Sequence, residues 1–514
     1  MPPATTKPLG NIEHVVVLML ENRSFDNVLG WLYDPANKPP FDKVPRGQTF
    51  NGVSGKGLTN PGPNGPVPVG STADTTNPYP DPGEVYQDVY GEMYNINPAW
   101  DGTPPPPPPP AANTIPPNPP QPPPMTGFVN NYRLQPGVTQ PGNIMNGFRP
   151  PALPTVSQLA NSFIVCDNWF ASVPSQTLTN RSFMHAGTAS GYVNNEIGRL
   201  PLFINDTPTI FNLMEAQKVT WRIYYGSYWW LCMAFLNQKQ LERFVFDFGP
   251  RRFFPFSDFL TDAKNGTLPT YTFIEPNFMD SIFYGRENDM HPDAAILDLD
   301  HKPSDAIYGD ELVRKIYQAL KASPLWQKTL FVIIFDEHGG CYDHVAPPAT
   351  ATPPDNRIIP PNDPGGSGFT FNRYGVRVPA ILVSPLLVAG TIDHTLYDHT
   401  SILNTVMQQF AVTGDLGQRV ANANLIAPQL ADTPRSDAPD LQTPLVSLAQ
   451  QDSVTADAPP TAIQATLVQA AALRLNELAE AAKPDPAKLI TRLSAEAELL
   501  RAAKAAGLAD TPPA

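Results

Sequence analysis

The feature that most limits the fold of this chain is an uninterrupted apolar run, Leu330–Phe335, which is followed at once by two acids. A strand that is apolar on both faces is typical of a parallel sheet covered by helices on each side. The run Val378–Val383 is predicted to be a second strand of this kind. Elsewhere, short apolar runs alternate with segments in which apolar residues recur at helical spacing. This alternation predicts an α/β fold, in which a layered sheet is flanked by helices.

The remaining elements are placed by the same periodicity. The predicted strands are His14–Leu20, Phe163–Asp167, Val219–Tyr225 and Thr270–Glu275. The predicted helices are Val156–Ser162, Gly309–Leu320 and Asp398–Phe410, with a further helix beginning within Asn180–Ser190. Hydrophobic residues make up 41% of the 514 positions, so the chain can bury a large core.

Proline dominates a stretch from about Pro39 to Pro124, which includes the seven consecutive prolines Pro104–Pro110. Proline lacks an amide hydrogen and favours the polyproline II conformation, so such a tract cannot join a helix or a central strand. We interpret the stretch as a surface insertion within one catalytic domain, residues 1–445, because both sides of it carry pieces of what looks like one site. Residues from about Asn60 to Pro124 are therefore predicted to lack helix and strand.

The C-terminal residues 446–514 differ in composition, and their last part is rich in alanine, leucine and glutamate. Apolar positions recur there at helical spacing on both sides of a break at Pro484–Pro486. We predict a helical tail of two helices that packs on the body of the protein or on a partner.

Charge and cysteine content exclude some classes of protein. The formal net charge is -14 and the pI is about 5.0, which argues against a nucleic-acid binder, because such binding depends on clustered Lys and Arg. An anionic substrate stays compatible with this charge, since a bound metal reverses the local field. Cys166, Cys232 and Cys341 are far apart in sequence, which argues against a disulfide framework and favours a reduced compartment.

The N-terminal residues carry no targeting signal of their own. Met1–Asn11 has no apolar signal core, and the first apolar run, Val15–Leu20, is too short to cross a membrane. No transmembrane segment is therefore expected. The sequence is compatible with a cytoplasmic location and with export after removal of a signal.

Polar residues directly follow two of the predicted strands. Glu21 and Asn22 come after the first strand, and Asp336 and Glu337 come after the longest apolar strand. In open α/β sheets, ligand sites lie outside the carboxyl ends of the strands. Carboxylate and amide oxygens suit a hard or borderline divalent cation, and adjacent buried acids need a cation or a base to stabilise them. The alternatives are a helix cap with a surface Arg23–Asp26 pair, and an acidic surface turn.

A third polar segment, SVPSQTLTNRSFMHAGTASG, runs from a proline-containing turn into a predicted helix. A hydroxyl on such a turn lies beside a helix N-terminus, which attracts phosphate. Ser175, Thr177 and Thr179 are equal candidates from the residues alone, and capping of the helix is the alternative role for each. His291 and His399 stand in polar, turn-rich segments and are candidates for acid–base catalysis, although a single histidine is more often structural.

Taken together, these segments resemble the phosphoesterase family of bacterial phospholipases C and acid phosphatases, which belongs to the alkaline phosphatase-like superfamily. The resemblance runs from about residue 12 to 411. The matching stretches, in family order, are IEHVVVLMLENRSFDNVLG, FIVCDNWFASVPSQTLTNRSFMHAGTASG, TIFNLMEAQKVTWRIYY, HPDAAI, FVIIFDEHGGCYDHVAPP and YGVRVPAILVSPLLVAGTIDHTLYDHTSIL.

The resemblance implies an alkaline phosphatase-like fold and selects one hydroxyl. Family members commonly have a Gly-Pro-Thr-x-Pro-Asn-Arg-like segment in which the Thr, or a Ser, is the nucleophile. The segment here is SQTLTNR, so Thr177 takes that place, and Asn180 and Arg181 are kept. The departures from the family segment are Ser175 for Gly, Gln176 for Pro and Thr179 for Pro.

The resemblance also implies a site for a divalent metal ion, of which Ca²⁺, Mg²⁺ and Zn²⁺ are the candidates. The implied ligands are Glu21, Asn22, Asp336 and Glu337, with Thr177 itself at the metal. The implied mechanism is a double displacement through a phosphothreonine intermediate.

Other residues are assigned supporting roles by the same resemblance. Asn22, the helix amides near Asn180, and Arg181 are expected to stabilise the phosphoryl oxygens. His291 or His399 is expected to protonate the leaving alcohol. The alternative for these two histidines is that they bind a second metal.

The expected substrate is a phosphoester, with phospholipase C-like activity first and a broad-specificity acid phosphatase as the alternative. The aromatic run Tyr224–Phe235 contains rings that could cage the ammonium group of a phosphocholine-containing lipid, but core packing is the better interpretation. A sulfatase is disfavoured, because no Cys-x-Pro-x-Arg segment is present. An alternative of another class is a non-catalytic protein that presents the proline tract to proline-recognition domains.

Overall fold

The computed structural model describes residues 7–100, 106–107, 119, 121–195, 204–227, 232–244, 250–278, 286–292, 304–360, 363, 366–431, 433–441, 443 and 445–446. The predicted tail helices, most of the seven-proline run, the last four residues of the HPDAAI stretch and the centre of the aromatic run lie outside these residues.

Twelve strands occur in the described residues. They are β1 (His14–Leu20), β2 (Thr59–Gly62), β3 (Gly65–Pro68), β4 (Gly70–Thr72), β5 (Asn146–Phe148), β6 (Ile164–Cys166), β7 (Trp221–Tyr225), β8 (Phe253–Pro255), β9 (Tyr271–Glu275), β10 (Thr329–Phe335), β11 (Ala380–Val383) and β12 (Thr391–Asp393). The main sheet has eight of them, in the order β12-β6-β11-β10-β1-β9-β7-β8. Within this sheet the five neighbouring strands β10-β1-β9-β7-β8 all run parallel to one another. On the other side, β11 is antiparallel to both β10 and β6, and β12 is parallel to β6.

The α-helices of the described residues pack around this sheet. They are α1 (Phe25–Val28), α2 (Tyr86–Tyr94), α3 (Phe128–Tyr132), α4 (Pro154–Ser162), α5 (Thr177–Ala186), α6 (Ile210–Ala216), α7 (Met233–Asn237), α8 (Phe256–Asn265), α9 (Ala306–Lys321), α10 (His399–Gln409) and α11 (Gln418–Asn422). α5 contacts α6, α7 and α10, whereas α9 contacts α4 and α8. Every residue of β10 is buried. The predicted α/β sheet flanked by helices is thus confirmed.

The central strands position the polar segments that follow them. β1 and β10 are parallel and in register, with Leu20 opposite Phe335. The residues that follow these two strands, Glu21 and Asp336, therefore leave the sheet side by side at the carboxyl ends of β1 and β10. β1 has the bounds predicted from its periodicity.

The prediction that Val378–Val383 is a parallel strand is wrong in direction and in its first residues. β11 begins at Ala380, because Pro379 has no amide hydrogen to donate to a ladder. An apolar run shows that a strand is buried on both faces, and a central antiparallel strand meets that condition as well as a parallel one.

The prediction that residues from about Asn60 to Pro124 lack helix and strand is also wrong. β2, β3, β4 and α2 lie within this stretch. α2 is anchored in the core by Tyr86, Val89, Tyr90 and Met93. These four residues have helical spacing, but the surrounding prolines and glycines dominate the average composition and conceal it.

Deletion of residues 104–118 is expected to leave the fold intact, since the sequence predicts a surface insertion and long insertions add little loop-closure entropy. Both flanks keep anchors without it: the Arg133 guanidinium lies 5.4 Å from the Trp100 ring centroid, and Gln121 Nε2 donates to Tyr94 Oη at 2.7 Å. Thermal unfolding of this variant should stay cooperative, whereas deletion of residues 86–94 should abolish cooperative unfolding. Insolubility of the first variant would contradict the prediction.

Candidate functional site

Four of the predicted metal ligands converge where β1 and β10 end. Glu21, Asn22, Asp336 and Glu337 are all buried. The Asn22 backbone N–H donates to Asp336 Oδ1 at 3.1 Å. Asn22 has a φ of 55°, a left-handed conformation that asparagine tolerates better than most residues. A Cβ on Gly339 would lie 2.0 Å from the Asn22 carbonyl oxygen, so the two segments approach this closely because position 339 is glycine.

Thr177 lies beside this group. It is the first residue of α5 and is buried, and its Oγ1 donates to Asn22 Oδ1 at 3.3 Å. The structure therefore brings the predicted nucleophile next to a predicted ligand. The competing Ser175 hydroxyl donates instead to the backbone carbonyl of Val193.

Asn180 shapes the turn before α5. Its Oδ1 accepts from Val173 N at 3.1 Å, and its Nδ2 donates to the Ser175 carbonyl at 2.7 Å. The amide of Leu178 donates to Asn195 Oδ1 at 2.9 Å. These bonds hold the turn where the family segment has prolines. The same bonds occupy the polar groups of the Asn180 side chain and the backbone amide of Leu178. These two groups were expected to bind phosphoryl oxygens, and the structure instead gives them partners within the protein.

Arg181 lies between two of the predicted ligands. Its Nη2 is 3.1 Å from Glu21 Oε1, and its Nε is 3.2 Å from Asp336 Oδ2. Nη2 also donates to the Met19 carbonyl at 3.2 Å. Nη1 has no hydrogen-bond partner among the described residues. Arg181 therefore holds the two carboxylates in place, and Nη1 alone is left for the expected contact with phosphate.

Two acids of the site escaped the sequence reasoning. Glu84 Oε2 accepts from Asn22 Nδ2, and its Oε1 accepts from Gln176 Nε2 at 3.4 Å. The Asp289 carbonyl accepts from Glu21 N at 2.8 Å. Glu84 belongs to the stretch assigned to the surface, and the apolar spacing of α2 just after it was the signal that could have found it. Asp289 belongs to the NDMHPD segment, which drew attention only for its histidine.

The two predicted catalytic histidines have different surroundings. His291 Nε2 lies 3.6 Å from Glu84 Oε2, and its Nδ1 lies 3.8 Å from Asp81 Oδ1. His399 is fully buried, with Nε2 2.6 Å from the backbone oxygen of Asp336. Burial lowers the pKa of His399 to about 4. A histidine that is neutral at pH 7 is a poor proton donor, so the geometry favours His291 for that role.

The site buries several carboxylates close together. Burial, offset in part by Arg181, raises the pKa of Glu21 well above its usual range. Burial also raises the pKa of Asp336 to about 6 and that of Asp289 to about 7. Oε1 of Glu337 is buried without a hydrogen-bond partner among the described residues. A divalent cation would stabilise the ionised acids and supply that missing partner, so the donor set fits such an ion.

Comparison with known proteins decides which family the chain belongs to. The model of a family described as the Phosphoesterase family matches residues 12–413. The chain belongs to the phosphoesterase family. It is therefore an enzyme of the phosphoric ester hydrolase class, and the alternative of a non-catalytic protein is set aside.

Relatives of this phosphoesterase occur in a plant and in a bacterium. "Non-specific phospholipase C3" from Arabidopsis thaliana is 33% identical, and the match covers 90% of this chain and 82% of the relative. "Phospholipase C A" from Mycobacterium tuberculosis is 26% identical, covering 85% and 81%. A solved structure of a protein in the alkaline phosphatase superfamily from Vibrio parahaemolyticus matches at 12% identity and a TM-score of 0.30, covering 52% of this chain and 64% of that one. The family resemblance is confirmed, and it extends beyond the bacterial members named above.

No helix among the described residues of the phosphoesterase combines the length and the apolar character that a bilayer span requires.

A second acidic cluster of the enzyme, formed by Asp26, Asp343 and His344, also has the composition of a metal site. One ligand atom from each residue lies within 4.8 Å of the others. Arg377 already occupies this cluster, with Nη2 2.9 Å from Asp26 Oδ1 and Nε 3.0 Å from Asp343 Oδ1. Because the guanidinium pairs with both acids, we interpret the cluster as a structural ion-pair network.

His338, directly after Glu337, adds positive charge to the phosphoesterase site. Burial lowers its pKa, but the charges and hydrogen bonds of Glu92 and Glu337 outweigh that effect and raise the pKa to about 9. His338 is therefore protonated at neutral pH.

Replacing His185 by leucine is expected to make the enzyme less sensitive to acid. His185 is buried on α5 with no hydrogen-bond partner for either ring nitrogen among the described residues. Burial lowers its pKa from 6.5 to about 3. The unfolded chain takes up a proton on this histidine at a higher pH than the folded chain does. The free energy of unfolding therefore falls as the pH decreases from 6.5 towards 3, by up to about 1.4 kcal/mol per pH unit.

Denaturant unfolding of the wild type and of His185→Leu at pH 7, 5 and 4 measures this effect. The difference in stability between the two proteins should shift in favour of the variant as the pH falls, and it should be constant between pH 7 and 9. A difference that does not change with pH would show that His185 takes up its proton as easily in the folded enzyme as in the unfolded chain.

Proposed function

We propose that this phosphoesterase is a phospholipase C-type hydrolase that uses Thr177 as its nucleophile and a divalent cation as its cofactor. The observation that carries the proposal is the 3.3 Å contact between Thr177 Oγ1 and Asn22 Oδ1, within a group of buried acids whose oxygens suit a divalent cation. The residues proposed to hold the cation are Glu21, Asn22, Thr177, Asp336 and Glu337.

The proposed first step transfers the phosphoryl group to Thr177. The Thr177 hydroxyl releases its proton to solvent, and its Oγ forms a bond to phosphorus as the bond between phosphorus and the leaving alcohol breaks in line. When bound, the cation would lower the pKa of the Thr177 hydroxyl and neutralise charge on the phosphoryl oxygens. Arg181 would keep the carboxylates of Glu21 and Asp336 in place during this step. Water then hydrolyses the phosphothreonine and restores the Thr177 hydroxyl.

The leaving alcohol needs a proton, and His291 is the proposed donor. Glu84 and Asp81 lie 3.6 and 3.8 Å from its two ring nitrogens, and Nδ1 also contacts the backbone oxygen of Pro292, which supports an oriented ring. His399 is proposed to act through Asp336 only, because its Nε2 already contacts that residue's backbone.

The proposed substrate is a phosphodiester of the phospholipid type. This proposal rests on the relatives, which are named phospholipases C and which this chain covers over about four fifths of their length. A phosphocholine headgroup is the candidate that the sequence suggested.

A comparison of three substrates tests the diester preference. Nitrophenyl phosphate, bis-nitrophenyl phosphate and nitrophenyl phosphocholine would be assayed side by side in buffer containing divalent cations. We expect kcat/KM for at least one diester to exceed that for the monoester by about tenfold or more. A preference for nitrophenyl phosphate would instead identify a broad-specificity acid phosphatase.

A further inference from the structure

A chain of hydrogen bonds joins helix α2 to the end of β10. His338 Nε2 lies 2.7 Å from Oε2 of Glu92, and His338 Nδ1 lies 3.3 Å from Oε2 of Glu337. The side chains of all three residues are at most 1% exposed. Both ring nitrogens of His338 thus face carboxylates, one on each side of the ring.

The two carboxylate oxygens of Glu337 differ in their hydrogen-bond partners. Oε2 accepts from the Gly339 amide at 2.7 Å and lies 3.3 Å from His338 Nδ1. Oε1 is buried and has no hydrogen-bond partner among the described residues. A carboxylate held at one oxygen and open at the other is oriented to bind a cation through the open oxygen. Outer partners of this type fix the direction of metal ligands in many proteins.

Stability alone gives a weak explanation of this arrangement. A buried ion pair offsets little more than the desolvation of its own charges, and apolar residues of similar volume are often as stable. Glu92 is also held from the other side, where its backbone carbonyl accepts from Gly127 N at 2.8 Å. The Glu92 carboxylate is therefore carried by an anchored helix, α2, which belongs to the proline-rich stretch.

We propose that Glu92 and His338 are positioning residues that fix Oε2 of Glu337 and so present Oε1 to the cation. This inference rests on the proposed function, because it assumes that Glu337 is a metal ligand. It makes the proline-rich stretch a required part of the metal site.

The test is a calorimetric titration of the full-length, metal-free protein with Mg²⁺, Ca²⁺ and Zn²⁺ in turn. Glu92→Gln keeps an acceptor for His338 but removes its charge, and His338→Gln removes the link itself. Asp88→Asn is the matched control, because Asp88 is a buried acid one turn earlier on α2 that bonds Asn131 at 3.0 Å. Thermal unfolding of each metal-free variant measures the purely structural effect.

We expect Glu92→Gln and His338→Gln each to raise the metal dissociation constant by about 10- to 100-fold. The double variant should bind the metal about as weakly as either single variant does, because both changes break the same link. Asp88→Asn should bind as the wild type does.

Two results would overturn the inference, and they are distinguishable. If the wild type binds a metal and both substitutions leave its affinity unchanged, the positioning role fails while the proposed metal site stands. If the wild type binds none of the three metals, the metal site of the proposed function fails as well. His338→Gln decides the matter if Glu92→Gln does not fold.

Discussion

Replacing Thr177 by alanine is expected to lower kcat by at least about a thousandfold, because loss of a nucleophile leaves only binding and electrostatic assistance. Thr177→Ser should keep part of the activity, since the same oxygen remains while the methyl group that restricts its rotamer is lost. Acid quench during turnover, followed by peptide mass analysis, should find phosphate on Thr177.

Ser175→Ala and Thr179→Ala are the matched controls for this prediction. Both remove a buried hydroxyl from the same turn, and both should be much milder. Phosphate on Ser175 or Thr179 would move the nucleophile within the turn. Absence of any label, together with inversion of configuration at phosphorus, would mean that water attacks directly and that the assignment of Thr177 is wrong.

Removal of divalent cations is expected to abolish turnover, and adding back one of Ca²⁺, Mg²⁺ or Zn²⁺ should restore it. The physical reason is the group of buried acids around Asn22, whose ionised forms need a counter-charge. Asp336→Asn keeps the shape of the side chain but removes its charge, and it should lower kcat by about a hundredfold, since even outer partners of a metal ligand are worth about 10- to 100-fold.

Asp310→Asn is the control for the metal prediction. Asp310 is also a buried aspartate, but it accepts from the amides of Thr155 and Val156 at 2.9 and 2.7 Å, at the start of α4. Its replacement should leave the metal requirement unchanged. Full activity of a preparation verified to be free of metal would contradict the prediction for the whole site.

The parts of the site that follow strands could be predicted from the sequence. An apolar run with acids directly after it locates both a buried strand and the edge where the strand ends, so Glu21, Asn22, Asp336 and Glu337 were found together. Thr177 could be separated from its neighbouring hydroxyls only through the family resemblance, because all three stand on the same turn.

The parts that come from irregular segments could not be predicted. Glu84 and Glu92 lie in a stretch whose average composition is that of a surface loop, although a short helix within it is buried. Either His291 or His399 was expected to protonate the leaving alcohol or to bind a second metal, but no local pattern records the contact of His399 with the backbone oxygen of Asp336. This contact joins residues 63 positions apart, and one sequence carries no periodic signal for such a pair.

The place of β1 in the sheet has a consequence for how the protein is made. β1 is the first strand of the described residues to be synthesised, yet its neighbours are β9 and β10. Glu13 and Lys328, which precede β1 and β10, are 315 positions apart. At about 5–20 residues per second, translation separates the two strands by roughly 15 to 60 s. Until β9 emerges this apolar strand has neither of its two neighbours, and until β10 emerges it has only one of them, so the nascent chain is expected to depend on chaperones during that interval.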